Sequence, residues 1–172
     1  IARLGPAWRT IAAHSAQAPG VLDWLGQCQT AAALFAGDIK LSGNVSVQLR
    51  APRSLGTLFG ECTSAGSVRA IARCEPGTRA PQAVSDLGRD AVLAITIERD
   101  AGQRYQGLVP LEGATLEQAF EGYFERSEQL PTALRLAASD TVCAGMLLQQ
   151  VAAQGGRAMR DVSADFERLA IL

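Results

Sequence analysis

The sequence predicts an α+β domain, with a mixed or antiparallel sheet packed by a few helices, and three observations carry that expectation. One long segment, "VLDWLGQCQTAAALFAG", repeats its apolar residues at helical spacing. Several shorter segments alternate apolar and polar residues in the manner of half-buried strands. The order is helix, several strands, helix, then two strands, so helices neither alternate strictly with strands nor stand alone.

In the first helix Val21, Leu25, Cys28, Ala32 and Phe35 form the apolar stripe, Pro19-Gly20 precedes it, and Gly37 sits at the expected stop. Next, "NVSVQLR" sets Val45, Val47 and Leu49 against Ser46 and Gln48, a strand with one face buried. "LGTLFGECTS" and "SVRAIARCE" flank Ala65-Gly66 and predict a hairpin or meander, with Val68, Ala70, Ala72 and Cys74 on one face and Arg69 and Arg73 on the other. Residues 75–90 carry Pro76, Gly77, Pro81 and Gly88 and read mainly as loop. Two further strands, "AVLAITIER" and "RYQGLVPLEG", join across Asp100-Ala101-Gly102.

Thr115-Leu116-Glu117-Gln118 fits a capping box and opens the second helix, with Leu116, Phe120, Tyr123 and Phe124 as its apolar stripe and Glu117, Glu121 and Glu125 as its wet face. Pro131 ends that helix, since it lacks a donor and pushes Leu130 towards an extended conformation. "TALRLAAS" and "AGMLLQQV" read as the last two strands. From Gln154 a glycine pair and a helical pattern at Phe166, Leu169 and Ala170 read as a linker, which divides the chain into a main domain at 1–153 and the start of a linker at 154–172.

Composition narrows the function classes. A chain of 172 residues, 48% hydrophobic and 19% charged, suits one compact domain and does not require two. A net charge of −1 gives no basic excess for nucleic acid and no acidic tail for a charge-driven partner. Lys40 is the only lysine, so it is the sole candidate for Schiff-base or phosphate-cradling chemistry. The chain begins Ile1-Ala2-Arg3 with neither methionine nor a signal-like segment, and no apolar run approaches the ~18 residues of a membrane span. A cytoplasmic chain without membrane partners, whose true start lies upstream, is the expectation.

Candidate chemistry is sparse. Cys28, Cys62, Cys74 and Cys143 are scattered without the close pairs of a metal site, and the apolar composition favours reduced, buried thiols. Cys62 lies beside Glu61, whose charge opposes a thiolate, although an enzyme with Cys62 or Cys74 as nucleophile stands as one alternative. His14, the only histidine, has no fixed partner in view and reads as a surface or capping residue. Glu117, Glu121, Glu125 and Glu128 fall on one helical face, which reads as solvated and moderated by Arg126 and Arg135. Gly107 and Gly113 read as a strand irregularity and a turn, and no nucleotide or nucleophile-elbow motif is present. No catalytic, cofactor-binding or metal-ligating residue is assigned.

From Gly102 to Leu136, "GQRYQGLVPLEGATLEQAFEGYFERSEQLPTALRL", the sequence resembles the heat shock protein 33 family of bacterial chaperones. The resemblance rests on Arg104-Tyr105-Gln106-Gly107, Leu111-Glu112-Gly113, Tyr123-Phe124 and Ser127-Glu128-Gln129-Leu130-Pro131-Thr132 in order and spacing. It extends through "AAALFAGDIKLSGNVSVQLR", "ECTSAGSVRAIAR" and "AGMLLQQV" and covers most of residues 3–152.

What it implies is a redox-regulated, ATP-independent holdase that binds unfolded client proteins under oxidative stress, forms a homodimer and is not an enzyme. It also implies an N-terminal α+β domain, a linker, and a C-terminal zinc domain built on C-x-C and C-x-x-C pairs. Neither pair occurs here, so zinc and the disulfide switch are expected in a part outside this chain and not on its four cysteines. A dimerisation module without client binding is the other alternative. Within the motif, Ser127, Glu128 and Gln129 are expected to bond the helix end or a neighbouring loop.

Overall fold

The structure, a computed structural model, describes residues 1–38, 42–100 and 102–150. The α+β expectation holds: two sheets pack with three α-helices, and every strand pairing among the described residues is antiparallel. The linker assigned to 154–172 and Lys40 lie outside the described residues.

The predicted helix is α2, Pro19–Asp38, which starts at a proline whose fixed φ suits a first turn. Its stripe faces the core, with Val21, Leu25, Cys28 and Ala32 fully buried. The larger sheet contains β2 (Gly43–Ala51), β3 (Gly56–Thr63), β4 (Val68–Arg73), β5 (Val92–Arg99) and β6 (Arg104–Val109), in the order β4-β3-β2-β5-β6. Both predicted hairpin glycines take positive φ, +82° at Gly66 and +77° at Gly102. Val45, Val47, Leu49, Leu58, Leu93, Ile95 and Val109 are among the buried side chains of the face turned to the core. At Gly60 a Cβ would stand 2.7 Å from the backbone of Gln29, so glycine lets helix and strand approach. The buried Gln29 amide then bonds the Glu61 backbone both ways, Nε2 donating to its carbonyl at 3.0 Å and Oε1 accepting its N–H at 3.2 Å.

The smaller sheet has the order β1-β8-β7, from Ala2–Leu4, Cys143–Gln149 and Thr132–Ala138. Helix α2 packs against β2 and β3 of the larger sheet and β7 and β8 of the smaller, so one helix joins both sheets into a single core. Strand β1 and helix α1 (Pro6–Ser15) had no counterpart in the sequence reading. Strand β1 is only three residues long, and α1 is anchored by few large groups, chiefly Trp8, which is fully buried and donates from Nε1 to the Ser139 carbonyl at 2.7 Å. Residues 75–90 are mostly loop as expected, yet a 3₁₀ turn at Val84–Leu87 buries both of its end residues.

Helix α3, Leu116–Tyr123, carries the predicted N-cap: Thr115 Oγ1 accepts the Gln118 N–H at 3.3 Å. The reciprocal bond is displaced by one residue, because Gln118 Oε1 accepts from Ala114 N–H at 2.7 Å and not from the cap's own amide. Past Tyr123 the chain widens into one π-helical turn, Phe124–Glu128, before Gln129 adopts a left-handed conformation with φ +54°. Pro131 follows this closure, as predicted.

Candidate functional site

The thiols offer no reactive centre. All four are free, with Cys28, Cys62 and Cys143 buried and Cys74 half-buried. Burial pushes the Cys28 thiol up to about 12 and the Cys143 thiol up to about 11. Burial and then the Glu61 charge raise Cys62, and burial raises Cys74. A nucleophile needs the opposite shift. His14 is exposed in the last turn of α1, with Nδ1 2.6 Å from the Thr10 carbonyl of its own helix. No group of three or more His, Cys, Asp or Glu side chains among the described residues could hold a metal.

The carboxylate row is corrected in part. Glu117 and Glu121 do not simply face solvent: Glu117 Oε1 accepts the Leu136 N–H at 3.2 Å and Glu121 Oε1 accepts the Leu134 N–H at 2.8 Å. These are alternate residues of β7, an outer strand of its sheet, so the helix supplies the acceptors that a further strand would have supplied. Glu125 and Glu128 are exposed. Arg126 pairs with Glu112 at 2.6 Å and Arg135 with Glu121 at 3.2 Å, so only the second moderates the row itself.

The motif at the end of α3 is corrected as well. The helix end is closed by backbone alone, the Leu130 N–H donating to the Phe124 carbonyl at 3.2 Å. Among the described residues neither the Ser127 nor the Glu128 side chain makes a hydrogen bond or an ion pair, so Glu128 is not the structural cap that the sequence suggested. Tyr123 is buried and Phe124 is half-buried, and both turn inward as expected, with Phe35 meeting Phe120 edge-on at 5.3 Å and Phe124 at 5.2 Å. Gly107 is no irregularity, since it pairs with Ile95 in unbroken register, and its missing Cβ makes room for the Tyr123 ring and hydroxyl.

The other face of the larger sheet supplies a surface that sequence reasoning missed. The register places Ile71, Phe59, Gln48, Ala94 and Leu108 in one row across all five strands. Strands about 4.8 Å apart make this row roughly 19 Å long. Ile71 is 41% exposed, Leu108 65%, and Val92 of the next row 43%. A polar row flanks it, in which Arg69 pairs with Glu61 at 3.1 Å and Gln106 donates to Thr96 Oγ1 at 3.1 Å. Arg69 also lies over the Phe59 ring, 5.5 Å from its centre. On the other side stand Arg50 and Arg73, both exposed. The signal was an isoleucine between Arg69 and Arg73 on what alternation marks as the wet face.

Comparison with known proteins supplies the relatives. A family model described as "Hsp33 protein" matches residues 1–172. The "33 kDa chaperonin" of Ectopseudomonas mendocina (strain ymp) is 42% identical over 142 residues, covering 82% of this chain and 48% of the relative. That of Shewanella sp. (strain ANA-3) is 36% identical over 171 residues, covering 98% of this chain and 57% of the relative. The crystal structure of the 33 kDa chaperonin from Thermotoga maritima superposes with a TM-score of 0.66 at 20% identity, over 82% of this chain and 51% of that one, and so supports the fold. The chain spans about half the length of the curated relatives it matches.

Proposed function

This chain belongs to the Hsp33 family, and from that premise we propose that it is the client-binding part of an ATP-independent holdase chaperone. Unfolding proteins are captured on the open face of the five-stranded sheet. The observation that carries this is the row that ends in Ile71 and Leu108, 41% and 65% exposed on the two edge strands, with a half-buried Phe59 beside Ile71 and Val92 exposed in the next row. Large apolar side chains left exposed on one sheet face mark interaction surfaces. The framing arginines and hydrogen-bonded pairs keep the surface hydrated at its margins, so an unfolded segment gains contact area without the domain losing solubility.

Control by oxidation belongs to the same reading, with the zinc-thiolate switch placed in a part of the protein outside these residues. The raised, separated thiols found here support that placement. A cytoplasmic homodimer is part of the reading too, supported by the apolar area that a single protomer leaves open; no helix among the described residues is long and apolar enough to cross a membrane. The chemistry proposed is binding and release, without a catalytic step.

The test is suppression of light scattering from a thermally unfolding client protein by this chain, with and without peroxide. Protection in both conditions is expected, together with its loss in the Ile71→Glu and Leu108→Glu variants. Failure of the parent chain to protect under either condition overturns the proposal, and protection only after peroxide overturns the assignment of the switch.

A further inference from the structure

At the inner end of the larger sheet, α3, its π-helical turn and β8 enclose a cleft of about 190 Å³ that the open face does not share. Its walls include Phe35, Ile97, Tyr105, Tyr123, Phe124 and Leu147, a mainly apolar lining with Gln149 and Glu128 among its polar members. Tyr105 and Tyr123 join through their hydroxyls at 3.2 Å, so of the two protons one is left to donate into the cleft or to solvent. Glu128 stands at the mouth, shared with a shallower depression running past Arg99 and Arg104.

The polar groups around this mouth are matched, with one exception. Arg104 pairs with Glu98 at 3.5 Å, Arg99 donates to Gln103 at 3.5 Å, and Gln149 donates to Thr132 Oγ1 at 3.2 Å. Glu128 alone among them has neither hydrogen bond nor ion pair among the described residues. Its position follows from the π-helical turn, which inserts an extra residue into the helical spiral and swings the last side chains off the wet stripe of α3.

We propose that this cleft is an anchor site for one large apolar side chain of a client segment, with Glu128 selecting segments in which a lysine or arginine flanks that side chain. The inference deepens the chaperone reading above and rests on it. The cleft itself, about 190 Å³, has room for one large side chain, and the adjoining depression that shares Ile97, Tyr105 and Glu128 has room for the residues flanking it. Apolar walls supply the affinity, and an unmatched exposed carboxylate supplies modest discrimination by charge. Burial, then the bond to Tyr105 and the nearby Glu128 charge, all push the Tyr123 hydroxyl above its ordinary value, so it stays a neutral hydrogen-bonding group in the wall.

Titration of the isotope-labelled full chain with short peptides, followed by NMR, tests this. The probes carry a single phenylalanine flanked by arginines, by glutamines or by glutamates. The expected result is chemical-shift change at Tyr105, Gly107 and Leu147, with the arginine peptide bound about two- to fivefold tighter than the glutamine one, as for an exposed ion pair. Glu128→Gln removes that preference while leaving thermal stability unchanged, and so does about 1 M salt, where the Debye length is about 3 Å. Shifts confined to Phe59, Ile71 and Leu108, an unaltered preference in Glu128→Gln, or contacts from residues beyond 150 to Tyr105 in the free chain each overturn the proposal. Client protection without shifts at Tyr105 and Gly107 refutes the cleft alone. Absence of both protection and peptide binding refutes the chaperone reading with it.

Discussion

The Glu121 carboxylate of α3 accepts the backbone N–H of Leu134 in β7 at 2.8 Å, and the same Oε1 lies 3.2 Å from Arg135 Nη1. One side chain thereby caps a strand edge and pairs with the next residue along it. Hydrogen bonds to a charged acceptor contribute about 1.5–3 kcal/mol. Glu121→Ala should therefore destabilise the domain by about that amount, while Glu121→Gln, which keeps an acceptor, should lose less. Urea unfolding of the two variants beside the parent measures the difference. Equal losses would mean that the ion pair, not the edge cap, is what Glu121 contributes.

Asp23 lies on α2, where burial and then the Glu117 charge raise its carboxyl above the ordinary carboxylate value against the opposing bond from Gln27. A carboxyl raised on folding binds protons more tightly in the folded state, so its contribution to stability is full below the unfolded value. That contribution is lost as pH rises through the folded one. Asp23→Asn should consequently stabilise the chain at neutral pH and flatten the pH dependence of its stability just above the usual carboxylate range. Thermal melts between acid and neutral pH check this. A variant less stable at neutral pH would show that the bond to Gln27 outweighs the desolvation.

The thiols should react slowly and in order of access. Cys74, the half-buried one, should be alkylated first, and Cys28 last, since burial pushes it to about 12. Mass spectrometry after timed exposure to iodoacetamide in the folded state resolves the order. Rapid stoichiometric modification of Cys62 would contradict the placement of that thiol and restore the nucleophile alternative.

Gly107→Ala drives a methyl group into the Tyr123 hydroxyl and ring. Overpacking of this kind costs about 1–3 kcal/mol. Tyr123→Phe removes the nearest atom, so the double variant should recover part of the loss, and a double-mutant cycle reads the coupling. Purely additive losses would place the effect of Gly107 elsewhere.

Leu108→Glu exchanges an apolar residue for a charge at a position already 65% exposed. Its stability should stay within about 0.5 kcal/mol of the parent, as for surface substitutions, while client protection falls. A drop in both together would mark Leu108 as a packing residue.

Alternation and helical spacing in the sequence determined the class and most elements, because each local pattern records which face meets the core. Val45, Val47 and Leu49 had to face inward together, and Thr115 had to open a helix. The resemblance-bearing stretch determined the family. Tertiary structure decided the rest. Chain segments far apart meet only after folding, so the bond from Glu117 to Leu136 and the fit of Tyr123 over Gly107 are invisible to periodicity. The short β1 and Trp8-anchored α1 gain their stability from distant partners and leave too weak a local signal. The same holds for the polar group Ser127-Glu128-Gln129. Its sequence suggested a helix closure, whereas the fold closes that helix with backbone alone and leaves Glu128 facing an apolar cleft whose walls come from four separate parts of the chain.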